Sequence, residues 1–322
     1  MTRILSFGRY AISYNCAQMN WFRRFLLLAS LLVALGLGAQ APDPQPSLAG
    51  VIDLHAHSSP DTAERSIDAI DLAKLAKERG VRGLVLKNHG DSTAQLVYAA
   101  RKVVPGIELF GGIALNRSVG GINVAAVEEM ASVKGGWGRV VWMPTRDAEY
   151  GARNARGEAR PFVSVARNGQ LLPEVKDVLK VMAAKKLTLA TGHSSPIEDL
   201  LLIREAKAAG VEHIIVTHPM NPAVGMSLDQ MKEAAGLGAY LELAYGHLLG
   251  TNTRLTIESY ATVIRAIGPE HFVLSTDLGQ PGNPLHPDGM AAFMREIAKQ
   301  GFGKDAIDRM TKTNPAKVLG LE

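Results

Sequence analysis

Asp53-Leu54-His55-Ala56-His57 places two imidazoles two residues apart at the end of an apolar run. Side chains two apart on a strand project to one side, so His55 and His57 can address one ion, with Asp53 at the matching position before them. Such a pair is a nitrogen bite for zinc or a similar divalent metal, although an H-x-H pair alone suits ordinary surface histidines equally well. Its company strengthens the case. Of the nine histidines, His89, His193 and His218 also follow short apolar, β-rich runs, and Asp277 ends Ser275-Thr276-Asp277 in the same way. A divalent ion lowers the pKa of bound water from about 15.7 towards 7, and a neighbouring carboxylate can take the proton. Metal-assisted attack by water is the chemistry this set could perform; helix N-capping is the alternative role for Asp277.

The elements that must position these residues repeat one theme from Gly50 onward. Strands are expected at Val51 to Leu54, Gly83 to Leu86, Leu109 to Ala114, Arg139 to Met143, Leu187 to Thr191, His213 to Thr217, Ala239 to Leu243 and Phe272 to Ser275. Between them lie stretches of helical period, such as Ser66 to Arg79 ending at Gly80, Leu200 to Ala209 ending at Gly210, and Leu228 to Ala235. Strand–helix alternation predicts an α/β fold with parallel strands, a (β/α)8 TIM-like barrel whose reactive face lies at the C-terminal ends of the strands. An open doubly wound sheet, or two smaller domains, are the competing architectures. The rhythm breaks from about 146 to 173, where Phe162 to Val165 followed by Asn168-Gly169 predicts an inserted loop with a hairpin, either a lid or a surface excursion.

On the reactive face, Lys87 and His89 share one side of the second strand's end. His89 is a candidate ligand. Lys87 could orient a substrate anion, bridge two metals if carboxylated, or simply pair with Glu242. Glu242, among Tyr240, Leu241 and Leu243, is costly to bury unless paired, and suits either a salt bridge or the task of fixing a histidine tautomer. His247 and His286 are expected on loops at this face, with Asn283 to Asp288 close enough to Asp277 to line a pocket. His213 and His271 precede their strands and belong to the opposite end.

Residues 50–322 resemble the amidohydrolase superfamily of metal-dependent hydrolases. The resemblance rests on Asp53-Leu54-His55-Ala56-His57, Thr191-Gly192-His193, Thr217-His218-Pro219, Ser275-Thr276-Asp277, and the closing segment Thr313-Asn314-Pro315-Ala316-Lys317-Val318-Leu319-Gly320-Leu321. It implies that His55, His57 and Asp277 ligate a metal, that His193 and His218 are further ligands or substrate contacts, and that Asp277 is the general base. The chain departs from many binuclear members at the fourth strand, where Val141-Trp142-Met143-Pro144-Thr145 carries no bridging lysine or glutamate. The implied cofactor is one or two divalent ions, zinc foremost, with manganese or iron as alternatives. The implied reaction is hydrolysis of an amide, cyclic amide, ester or related bond of a small molecule. A non-oxidative decarboxylase and a catalytically inactive periplasmic binding protein are the other readings.

Residues 1–41 have the organisation of a secretory leader, with Arg23 and Arg24 before the apolar run Phe25 to Leu37 and Ala39-Gln40-Ala41 as a cleavage site. Met19 is an alternative start, and residues 42–49 form a spacer. The apolar run is about 13 residues, short of the roughly 20 that span a bilayer, so no stable membrane insertion is expected after cleavage. The location expected is periplasmic or secreted. The chain has 35 basic and 31 acidic residues, and removing Arg3, Arg9, Arg23 and Arg24 leaves 31 against 31. The basic excess therefore belongs to the leader, and no nucleic-acid partner is expected; a homo-oligomer stays open. Cys16 also lies in the leader, so any metal must be held by nitrogen and oxygen. No P-loop, dinucleotide-binding glycine motif or nucleophile elbow is present.

Overall fold

The computed structural model describes residues 46–155, 160–250 and 254–321. The leader expected over 1–41 lies outside them, and no described helix is long and apolar enough to cross a membrane. From the N-terminal side the chain runs β1 (Ile52–Ala56), α1 (Ala69–Glu78), β2 (Gly83–Leu86), α2 (Ala94–Val103), β3 (Glu108–Ala114), α3 (Val124–Ser132) and β4 (Gly138–Trp142). An insertion then contributes α4 (Glu149–Asn154), β5 (Ala166–Arg167) and β6 (Gln170–Leu171). The alternation resumes with α5 (Pro173–Lys185), β7 (Thr188–Ala190), α6 (Pro196–Ala208), β8 (His213–Val216), α7 (Leu228–Gly236), β9 (Tyr240–Ala244), α8 (Ile257–Ile267), β10 (Phe272–Ser275), α9 (His286–Lys299), α10 (Lys304–Asp308) and α11 (Asn314–Val318).

The main sheet has eight strands in the order β1-β2-β3-β4-β7-β8-β9-β10, all neighbours parallel. Its two edges meet just past the end of β10. Asp277 N donates to His55 O at 2.8 Å, His57 N donates to Leu278 O at 2.9 Å, and the Asp53 carboxylate accepts from Thr276 N at 2.9 Å and Thr276 Oγ1 at 2.5 Å. These bonds close the sheet into the expected barrel. The doubly wound alternative is excluded.

Two apolar layers hold the barrel. Helix faces such as Leu72, Ala73 and Ala76 of α1 pack on the outward strand residues Leu84, Leu86, Val216, Leu241 and Leu274. Inside, Ile52, Leu54, Val85, Phe110, Val140, Trp142, Ile215 and Val273 meet Ala316, Val318 and Leu319 from the C-terminal segment. That segment plugs the barrel, with Thr188 Oγ1 donating to Val318 O and Asn314 Nδ2 to Phe272 O. Ser195 with Glu198 and Ser227 with Gln230 form reciprocal caps that start α6 and α7 soon after the loops carrying His193 and His218.

Strict alternation in β1 fails. Asp53 pairs with Leu84 but Ala56 pairs with Leu86, so β1 carries one extra residue there. Ile52 and Leu54 face the interior whereas Ala56 faces the helices. The bulge reverses the parity, so Asp53 turns to the seam while both histidines reach the reactive end. The insertion holds the expected hairpin in shorter form: β5 and β6 turn at Asn168 and Gly169, both in the left-handed region (φ 52° and 75°), while Val163 bridges to Ala148 instead of extending the hairpin.

Leu319 is 1% exposed and Ile197 74% exposed. Leu319→Ala is expected to lower stability by about 3 kcal/mol in urea unfolding, and Ile197→Ala by less than about 0.5 kcal/mol.

Candidate metal centre

Each candidate side chain projects from a strand of the barrel or from the first three residues beyond its C-terminal end. β1 supplies His55 and His57, the end of β2 supplies Lys87 and His89, and β9 supplies Glu242. His193, His218 and Asp277 follow β7, β8 and β10. His218 and Asp277 are non-glycine residues at positive φ (28° and 50°), a conformation costing about 1–2 kcal/mol each. Two glycines make the approach possible. A Cβ on Gly192 (φ 71°) would lie 2.3 Å from Met143 O, and one on Gly279 (φ 123°) 2.2 Å from His57 O. The turn carrying His193 and the loop after Asp277 thus press directly on neighbouring backbone.

Hydrogen bonds at the far ring nitrogens decide which nitrogens are bare. His57 Nδ1 lies 2.8 Å from Lys87 O, which can only accept, and His55 Nδ1 lies 3.1 Å from Glu242 Oε1. Both Nδ1 atoms therefore carry the proton, and in the neutral rings both Nε2 atoms are lone pairs. Each Nε2 lies 3.1 Å from Asp277 Oδ1. Burial holds the His57 imidazole down at about 4, so it is neutral at pH 7. Burial opposes ionisation of Asp277, but positive charge on the surrounding imidazoles when protonated, His55 foremost, outweighs it and holds its carboxyl well below the ordinary range. Bare nitrogen and carboxylate oxygen at 3.1 Å repel unless a cation lies between them, so His55, His57 and Asp277 fit a divalent ion.

A second triad, His218, His247 and Asp277, shares the same carboxylate, with His247 Nε2 2.9 Å from Asp277 Oδ2. His218 Nδ1 is buried without a hydrogen-bond partner, and its Nε2 faces His193 Nε2 at 3.2 Å. Burial holds His193 down at about 3 and His218 well below the ordinary value. Glu242 ties the halves together, since its other oxygen accepts from His218 N at 3.2 Å. Burial works against its charge too, but His55 brings its carboxyl below the usual range.

A family profile described as "Family of unknown function (DUF6282)" matches residues 50–242. The chain belongs to that family. The matched span takes in His55, His57, His89, His193 and His218 and stops short of His247 and Asp277. No curated protein gives a match. Among solved structures, the organophosphorus hydrolase from Deinococcus radiodurans superposes with a TM-score of 0.57 at 14% identity, over 85% of this chain and 93% of that one. A mutant PTE-like lactonase from Deinococcus radiodurans does so with a TM-score of 0.57 at 14% identity, over 85% and 97%. At this identity the likeness establishes a shared barrel fold.

In this DUF6282 chain the expected residues surround a polar cavity of about 200 Å³ lined by His57, Lys87, His89, His193, His218 and Asp277. Asp277 caps no helix; α9 starts only at His286. Lys87 does not form the expected pair with Glu242. Its Nζ lies 2.9 Å from His55 Nε2 and 5.3 Å above the Trp142 ring, with its pKa lowered by burial against the pull of Asp277 and Glu242. His89 belongs to neither triad; its Nδ1 is bonded to Thr145 Oγ1. His286 does not line the cavity, being 1% exposed with Nε2 on Leu278 O. No described residue of 146–173 lines it. Arg65, paired with Asp61, and Gln280 line the mouth unforeseen, because the irregular loops that carry them have no periodicity to read.

Two outcomes are expected. Glu242→Gln weakens the hold on the His55 tautomer and should lower zinc affinity about 10–100-fold in a chelator-competition titration. The metal-free protein should lose stability as pH falls. His57, His193 and His286, at about 4, 3 and 4 when folded, have ordinary values near 6.5, so the unfolded chain takes up protons first. Their contribution is complete above about 6.5 and declines below it; Asp53, raised by burial to about 6, opposes this between 3.8 and 6. The melting temperature should be lower at pH 5 than at pH 7.5.

Proposed function

We propose that this protein is a metal-dependent hydrolase of the amidohydrolase superfamily, acting on an ester, lactone, amide, cyclic amide or phosphoester bond of a small polar molecule. The observation that carries the reading is the convergence of His55 Nε2, His57 Nε2 and Asp277 Oδ1 at 3.1 Å, with both Nδ1 atoms anchored. A divalent ion held there would supply an activated water and polarise the scissile bond. The donors are nitrogen and oxygen only, which suits zinc first and manganese or iron next. Asp277, ionised and within 2.9 Å of His247 Nε2, can take a proton and pass it on to that imidazole. Lys87 and Arg65 place cationic groups on the cavity wall where an anionic substrate oxygen can lie.

Charge favours one ion. A second dication would add to the first beside Lys87, against which the carboxylates of Asp277 and Glu242 act. The ester, lactone and phosphoester options draw support from the barrels named organophosphorus hydrolase and PTE-like lactonase. The leader-like residues 1–41 support export to the periplasm or beyond the cell.

The purified protein should hold about one divalent ion per chain and hydrolyse members of a panel of lactones, aryl esters and aryl phosphotriesters. Asp277→Asn should lower turnover about 10²–10⁴-fold. Absence of metal, with no activity regained on adding zinc or manganese, overturns the reading. Release of carbon dioxide from an aromatic acid without consumption of water would assign a decarboxylase instead. Tight ligand binding unaffected by Asp277→Asn, without turnover, would assign a binding protein.

A further inference from the structure

The ring nitrogens around the cavity are not equivalent, and the protons behind His89 are arranged opposite to those behind His55 and His57. Asn116 Oδ1 accepts from two backbone donors, Thr145 N at 2.9 Å and Asp147 N at 3.2 Å. That fixes the amide orientation, so Asn116 Nδ2 is the group that donates to Thr145 Oγ1 at 2.8 Å and to His89 O at 2.9 Å. Thr145 Oγ1, with one acceptor site filled by Asn116, lies 2.8 Å from His89 Nδ1. If His89 Nδ1 carried a proton, two N–H groups would point at one hydroxyl, leaving its own hydrogen without an acceptor in a place where Asn116 and Thr145 are fully or almost fully buried. The hydroxyl therefore donates to Nδ1. The proton of the neutral ring is on Nε2.

His55 and His57 have acceptors behind Nδ1 and so present lone pairs, whereas His89 has a donor behind Nδ1 and presents an N–H. Its ring lines the cavity with its centroid 5.1 Å from that of His57, yet it joins neither metal-binding triad. We propose that His89 is not a metal ligand but a neutral Nε2–H donor to the substrate oxygen on which negative charge develops. The substrate half of this rests on the hydrolase reading; the tautomer does not. A preformed donor aimed at such an oxygen is worth about 10²–10³ in turnover.

The ¹⁵N-labelled full-length protein, metal-free at pH 7.5, should show His89 with an unprotonated Nδ1 and a protonated Nε2 in long-range ¹⁵N–¹H correlation, the signals being assigned by their loss in His89→Gln. Thr145→Val, which deletes the donor to Nδ1, should move the ring towards the Nδ1–H form. Zinc titration should give His89→Gln a Kd within about twofold of the parent, while His57→Ala loses zinc by at least the 10–100-fold expected of a disturbed ligand set. With 4-nitrophenyl acetate as the probe, His89→Ala should lose about 10²–10³-fold in kcat and His89→Gln, which keeps an amide N–H, should recover part of it. A protonated Nδ1 in the parent, or loss of zinc in His89→Gln matching that in His57→Ala, overturns the assignment. If instead His57→Ala binds zinc as the parent does, the metal-hydrolase reading fails while the His89 tautomer stands.

Discussion

The buried carboxylate of Asp53 decides where everything else lies. It accepts from Thr276 N and Thr276 Oγ1 across the seam and from His55 N on its own strand. Burial raises its pKa to about 6, the mark of an ion held where water cannot reach it. Desolvating a carboxylate costs several kcal/mol, and three hydrogen bonds to a charged group return about as much, so the net contribution to stability is small. What the bonds fix is position. They hold β10 against β1, and two residues further on the backbone bonds of Asp277 N to His55 O and His57 N to Leu278 O follow from that closure. The carboxylate of Asp277 then faces both imidazoles because the barrel has closed there.

Local preferences are broken just where this closure meets the reactive end. β1 bulges, His218 and Asp277 adopt left-handed backbone, Lys87 is 1% exposed, and Glu242 is buried as an ion. Each departure is unfavourable alone by roughly 1–3 kcal/mol, and a barrel selected for stability would shed them. They share one effect, which is to point donors and acceptors into a cavity of about 200 Å³. The apolar layers and the plug of Ala316, Val318 and Leu319 supply the stability that tolerates them.

The sequence makes the barrel legible because strands and helices have periods, and all eight strands lie within two residues of their expected bounds at each end. It also marks the strand-end residues His55, His57, His193, His218 and Asp277, since apolar runs point to the polar residues that follow them. It does not reveal the bulge in β1, because one extra residue leaves hydrophobicity unchanged and shows only when the partner strand is in register. His247 is readable merely as a loop histidine; its approach to Asp277 depends on the turn after β9. Lys87 is placed on the right face, but its contact with His55 Nε2 is not legible, because several polar groups converge there and the sequence does not rank their distances.

The fourth strand illustrates how a residue legible only as an absence acquires a physical role. Without a bridging lysine or glutamate, β4 ends in Trp142, which belongs to the interior layer and fills the space beneath the site. Its ring lies 6.3 Å from that of His55 and under the Lys87 ammonium at 5.3 Å, close enough for a cation–π contact. A strand-four ligand would need the volume this indole occupies, and a shorter side chain there would leave Lys87 without the face that supports it. A lysine instead reaches the site from β2, two strands away in the sheet, as an ammonium rather than a bridging anion, with its Nζ 2.9 Å from His55 Nε2. The indole at the end of β4 and the buried lysine on β2 thus pack on one another beneath the site.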